Sequence, residues 1–143
     1  MLKKLSIPFV LILALTSVAL GATTWTVANQ STIGWDATTL LDDGTPIPAG
    51  DTVTYRVYIK KDGETGDGTQ AYETAQLQQT ITFGQEGRWL VGIQAVRAPE
   101  NNPDNIQVSQ IVWSNTEDVA LVPVAFGFIY YMSPRAVSGV VPK

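Results

Sequence analysis

Cysteine and histidine are both missing from this 143-residue chain. Without cysteine there is no disulfide framework, no thiolate nucleophile and no thiolate metal site. Without histidine the chain lacks the usual general base near neutral pH and the commonest transition-metal ligand. Charge is also scarce, at 15% of residues, and the formal net charge is −4. No basic patch of the kind nucleic acid needs is present. The thirteen carboxylates lie mostly in glycine- or proline-rich loops, where water holds them ionised, whereas glycoside hydrolysis needs one raised in an apolar pocket. No phosphate-cradling glycine motif occurs. The expectation is a protein that is not an enzyme and carries no cofactor.

The chain opens on Met1-Leu2-Lys3-Lys4 and runs apolar from Leu5 to Leu20, broken by Ser6, Pro8, Thr16 and Ser17. Ala19-Leu20-Gly21 places small residues where a signal peptidase reads, so residues 1–21 are expected to be a signal peptide cleaved before Ala22. The competing reading is an uncleaved anchor, since the apolar run almost reaches spanning length. Membrane contact enters only by that route. The expected location is secreted, periplasmic or at the cell surface. Cleavage leaves seven cations against thirteen acids, a net −6.

After the leader there is no convincing helical period. Trp89, Val91, Ile93 and Ala95 alternate with Leu90, Gly92, Gln94 and Val96, the period of a strand, and both faces are apolar enough for a central one. Thr52 to Lys60 is the cleanest amphipathic strand, with Val53, Tyr55, Val57 and Ile59 on one face. Shorter β-prone runs are Trp25–Ala28, Thr32–Asp36, Tyr72–Phe83 and Gln107–Ser114, the last with Ile111 and Trp113 on one face and Val108 and Val112 on the other. About seven short strands separated by turn signals predict an all-β antiparallel sandwich over residues 22–118. Trp35, Tyr55, Trp89, Ile93 and Trp113 are its expected core anchors. Asp62, Glu64 and Asp67, in a polar glycine-rich loop, are weak candidates for a hard cation; a solvated hairpin loop explains the same residues. Trp25, Tyr58 and Tyr72 are candidate stacking platforms for a carbohydrate.

From about Trp25 to Glu117 the chain resembles a fibronectin type III domain, an immunoglobulin-like sandwich. The resemblance is carried by Ile33-Gly34-Trp35, by Tyr55-Arg56-Val57-Tyr58, by Ile81-Thr82-Phe83 followed by Gly87 to Val96, and by Ser109 to Ser114. The family usually has Tyr at the position of Trp89, and an indole N–H reaching a backbone carbonyl would take over the tyrosine-corner hydrogen bond. No Arg-Gly-Asp tripeptide is present to carry over the family's adhesion motif. The resemblance implies a fold and leaves function to the site.

Residues 119–143 continue beyond such a domain as an apolar, aromatic extension. Three readings stay open: packing back on the domain, contact with a protein partner or a second copy, and a ligand groove. Phe126, Phe128 and Tyr130 alternate onto one face and Tyr131 falls on the other; these four are the candidate partner-binding residues. The expected function is an exported, non-catalytic module for protein binding or self-association that uses this strip and its loops. The alternatives are a carbohydrate-binding module and a structural subunit of a surface appendage or particle.

Overall fold

The computed structural model describes residues 22–136 and residue 138. The proposed signal segment and most of the final seven residues lie outside that range. The described chain is all-β and sandwich-like, with nine strands in two sheets: β1 (Thr24–Val27), β2 (Gln30–Gly34), β3 (Thr52–Lys61), β4 (Thr69–Thr74), β5 (Gln78–Thr82), β6 (Gly87–Ala98), β7 (Gln107–Val108), β8 (Val112–Trp113) and β9 (Phe126–Tyr130). Among the described residues no helix is long and apolar enough to cross a membrane.

β6 is the spine of the larger sheet. β3 pairs antiparallel along it from Thr52↔Ala98 to Lys61↔Trp89, and β4 continues the sheet beyond β3. The other side of β6 is lined in pieces by β7, β8 and β9, and β1 closes that edge by pairing parallel with β9. The second sheet is the antiparallel pair of β2 and β5.

Side-chain alternation sends Trp89, Val91 and Ile93 inward, together with Val57 and Ile59 of β3 and Phe128 of β9. They meet Ile33, Ile81 and Phe83 from the smaller sheet. Phe83 is fully enclosed, 5.3 Å from the Phe128 ring and 5.9 Å from that of Trp89. Each such buried side chain contributes roughly 1.5–3 kcal/mol of apolar transfer free energy. Trp89 lies with its ring in the core and its indole Nε1 donating 2.9 Å to the Gln85 carbonyl. That bond pins the turn before β6.

Two long β-prone runs divide. Tyr72–Phe83 falls into β4 and β5 because the chain changes sheets between them, and the Thr74 hydroxyl accepts the Gln76 N–H in the intervening bend. Gln107–Ser114 divides because an extra residue enters the ladder. Val108 pairs with Val96, but Val112 pairs with Ile93, so the register has moved by one. Ser109 absorbs the shift: its hydroxyl accepts the Ala95 N–H at 3.0 Å, and its carbonyl accepts the Gln94 amide at 2.8 Å.

This shift corrects the assignment of Trp113 to the core. A one-residue slip exchanges the faces of everything beyond it. Trp113 pairs with Gly92 and lies on the outer face of the sheet, with Lys60 Nζ 4.0 Å above its ring. Gly92 is what admits it: a Cβ there would fall 2.5 Å from Ile111 Cγ2 and 3.0 Å from the indole. The other four expected anchors are inward: Tyr55 is buried, and Trp35, Trp89 and Ile93 pack half-buried around the core.

Candidate functional site

The smaller sheet has two strands and therefore two free edges. Trp35 N–H donates to Leu77 O and Phe83 N–H to Asn29 O, so in this antiparallel ladder the odd-numbered residues of β2 face β5. The N–H and C=O groups of Gln30, Thr32 and Gly34 point the other way, off the edge. An unpaired row of this kind is a template for another strand.

Beside that edge the two sheets stand apart. A groove of about 950 Å³ is floored by Val91, Ile93 and Ala95 of β6 and walled by Ile33, Gly34 and Trp35 on one side and Val112 and Phe126 on the other. Its rim carries large apolar side chains in water: Leu77, Leu121 and Val124 are 43%, 49% and 66% exposed. Trp35 contributes a further mark. Its Nε1 is buried and has no hydrogen-bond partner among the described residues, and a buried unpaired donor costs about 1–3 kcal/mol. The ring itself is fixed against Tyr55, centroids 5.5 Å apart, and the Tyr55 hydroxyl accepts the Thr38 N–H.

The far wall is built by an interruption of the last strand. Opposite Val91 the chain leaves β6 at Ser114 and re-enters the sheet at Phe126, whose N–H donates 2.8 Å to Ser114 O, pairing with β6 again from Phe128. Ser114 holds both ends of this excursion. Its N–H donates to Val91 O, and its hydroxyl accepts the Val91 N–H at 3.2 Å because its own carbonyl is engaged by Phe126. Within the excursion Asp118 accepts the Ala120 N–H on its carboxylate and the Leu121 and Val122 N–H groups on its carbonyl. The turn so formed presents Leu121 and Val124 at the rim.

The groove is apolar in lining and acidic in charge. Asp36 and Asp42 line it, and among the described residues no cation does. Neither takes part in the two ion pairs among the described residues, Arg56–Glu73 and Arg97–Asp51. Two carboxylates elsewhere are held below the ordinary carboxylate range. Asp51 is lowered by the Glu100 N–H and then by Arg97, and Asp43 by the Thr45 hydroxyl and N–H.

The four residues proposed for partner contact part company. Phe128 is 6% exposed and belongs to the core, so its side chain is not accessible to a partner. Phe126 and Tyr130 are half-buried against that core, and Phe126 also lines the groove. Tyr131, just past β9, is 64% exposed. Segment Phe126–Tyr130 is thus a strand of the larger sheet, although the sequence pattern places it in an extension.

The candidate stacking residues do not form one platform. Tyr72 faces the core, whereas Trp25 and Tyr58 lie on the outer face of the larger sheet. Tyr58 donates its hydroxyl to Gln94 Oε1. Trp25 lies across Gly127, where a Cβ would fall 2.5 Å from its ring, with the Arg88 guanidinium 5.0 Å from the ring centre. Among the described residues no group of three or more Asp or Glu is placed to hold a metal ion, and Glu64 of the Asp62–Asp67 loop instead accepts the Lys61 N–H.

The β2 edge, Leu121, Val124 and Ser114 were not singled out as a site from sequence. Searches against protein-family models, curated proteins and solved structures found no match.

Proposed function

We propose that this chain is an exported, non-catalytic module for protein binding or assembly, built on a fibronectin type III-like, immunoglobulin-like sandwich. The family reading is supported by the Trp35 that follows β2, by the strand pairing β2·β5 against β4·β3·β6·β9, and by the Trp89 indole bonded four residues upstream in place of the tyrosine corner. In the seven-strand immunoglobulin arrangement the first strand lies beside the second, in the same sheet. Here β1 lies beside β9 instead, leaving β2 bare.

That bare edge over an apolar groove is the observation that carries the functional reading. An extended segment can pair its backbone with Thr32 and Gly34 and send alternate side chains into the groove, the strand-addition mode of recognition. The non-catalytic part is supported by the carboxylates: those with altered acidity are held ionised, the reverse of what a general acid needs.

The test is selection of extended dodecamer peptides on the chain from Ala22 to Lys143, which contains β1 to β9. Selected peptides are expected to be apolar at alternate positions and to lose binding to the Thr32→Pro variant. Proline there removes a donor that points off the edge, so the β2–β5 ladder is kept. Leu121→Glu, at an exposed rim position, is the second variant and is expected to weaken binding at least tenfold. Binding that survives both variants overturns the reading.

A further inference from the structure

Resting on that reading, we propose that the strand received at β2 is the tail Ser133–Lys143 of a second copy of this chain. Charge first points to it. Residues 22–118 hold five cations and all thirteen acids, whereas residues 119–143 hold Arg135 and Lys143 and no acid. The groove repeats the contrast locally: Asp36 and Asp42 line it without a cation, and Arg135 is their complement. Length fits as well. Pro134 and Pro142 bracket the seven residues Arg135–Val141, which extend to about 23 Å. β2 has five residues, about 17 Å. If the run is extended, Val137 and Val141 would share one face with Gly139 between them, a pattern able to bury one side.

A second copy is favoured over the chain's own tail by the direction of β9. β9 runs toward Gly87, and Met132 N–H is held beyond it by the Glu86 carboxylate, whereas the groove lies back along Val91–Ala95. To fill its own groove the tail would have to reverse just past Met132. Tail to groove is a contact between unlike surfaces, so reciprocal exchange closes a dimer and one-way exchange propagates a longer assembly.

The experiment is light scattering of the Ala22–Lys143 chain over a concentration series, with three variants. The wild type is expected to rise from a monomer to a dimer or larger as concentration rises. Deletion of Ser133–Lys143, which leaves β1 to β9 in place, is expected to give a monomer throughout. Arg135→Glu is expected to weaken association at least tenfold, and adding Asp36→Lys with Asp42→Lys to that chain is expected to restore it. A wild type that stays monomeric up to its solubility limit, or a tail deletion that still associates, overturns the inference. The peptide selection above reads out independently, so groove binding without tail-dependent assembly would remove the second copy and keep the strand-addition reading. Cysteines at Leu121 and Ala136 separate the two sources of tail: on separate chains they are expected to give a mixed disulfide dimer. Closure within one doubly substituted chain, with no mixed dimer, overturns the proposal.

Discussion

Replacing Ser114 by alanine removes one oxygen from a position only 4% exposed. The cost follows from what that oxygen does. Val91 sits in the core with its N–H directed at Ser114, but the Ser114 carbonyl is already taken by Phe126. With the hydroxyl gone, Val91 N–H has no acceptor and little access to water, so the loss is the desolvation of a buried donor, about 1–3 kcal/mol. Ser109→Ala breaks the analogous bond to Ala95 N–H, but at a part-buried position where water can substitute. Its cost is expected at the lower end of the net worth of one hydrogen bond, about 0.5–1 kcal/mol. Urea unfolding followed by tryptophan fluorescence measures both, and the slope with denaturant is expected to stay unchanged. Ser114→Ala at or below the cost of Ser109→Ala, or within about 0.5 kcal/mol of wild type, would refute the assignment of Ser114 as the clasp of the strand interruption.

Gly92→Ala is expected to destabilise by about 1–3 kcal/mol, because its methyl meets Ile111 and the rigid indole of Trp113. Gly127→Ala meets Trp25 as closely, but Trp25 is on the edge strand β1 and can move, so its cost in the same unfolding assay is expected to be smaller. Trp89→Phe loses the bond to Gln85 O and is expected to cost about 1 kcal/mol beyond packing. Trp89→Tyr recovers part of that loss if the corner is equivalent to the family's, and equal melting temperatures for Phe and Tyr would deny it. Asp51 has its carboxyl lowered by the Glu100 N–H and by Arg97, so the stability it adds is complete above the unfolded-state value of about 3.9 and is lost as pH falls through its lower folded value. Asp51→Asn is therefore expected to flatten the acid limb of stability against pH below about 4; an unchanged acid limb would remove Asp51 from the account.

What was legible in the sequence follows from how local each determinant is. β3 and β6 are long alternating runs whose pattern alone fixes which face is inward, and Val57, Val91 and Tyr55 are buried as that pattern requires. Alternation alone puts Trp113 on the wrong face because a bulge three residues earlier exchanges the faces, and the bulge is held by Ser109 contacts to β6 that no local pattern encodes. The sequence pattern places β9 in an extension for the same reason. The strand ends at Trp113, resumes at Phe126, and is made continuous by Ser114. The groove was invisible because it depends on where β1 goes. A short β-prone run before β2 fits either sheet, and its parallel pairing with β9 is a tertiary outcome that leaves β2 uncovered.

The central claim is that the free edge of β2 receives a strand, and the exchange of two backbone amides tests it most directly. Thr32 and Gly34 N–H groups point off the edge and are expected to exchange fast in dilute solution. Their protection should rise with protein concentration in step with the light-scattering mass, while Ile33, bonded to β5, stays protected throughout. Thr32 and Gly34 amides that remain fast while the protein associates would place the contact elsewhere and contradict the account.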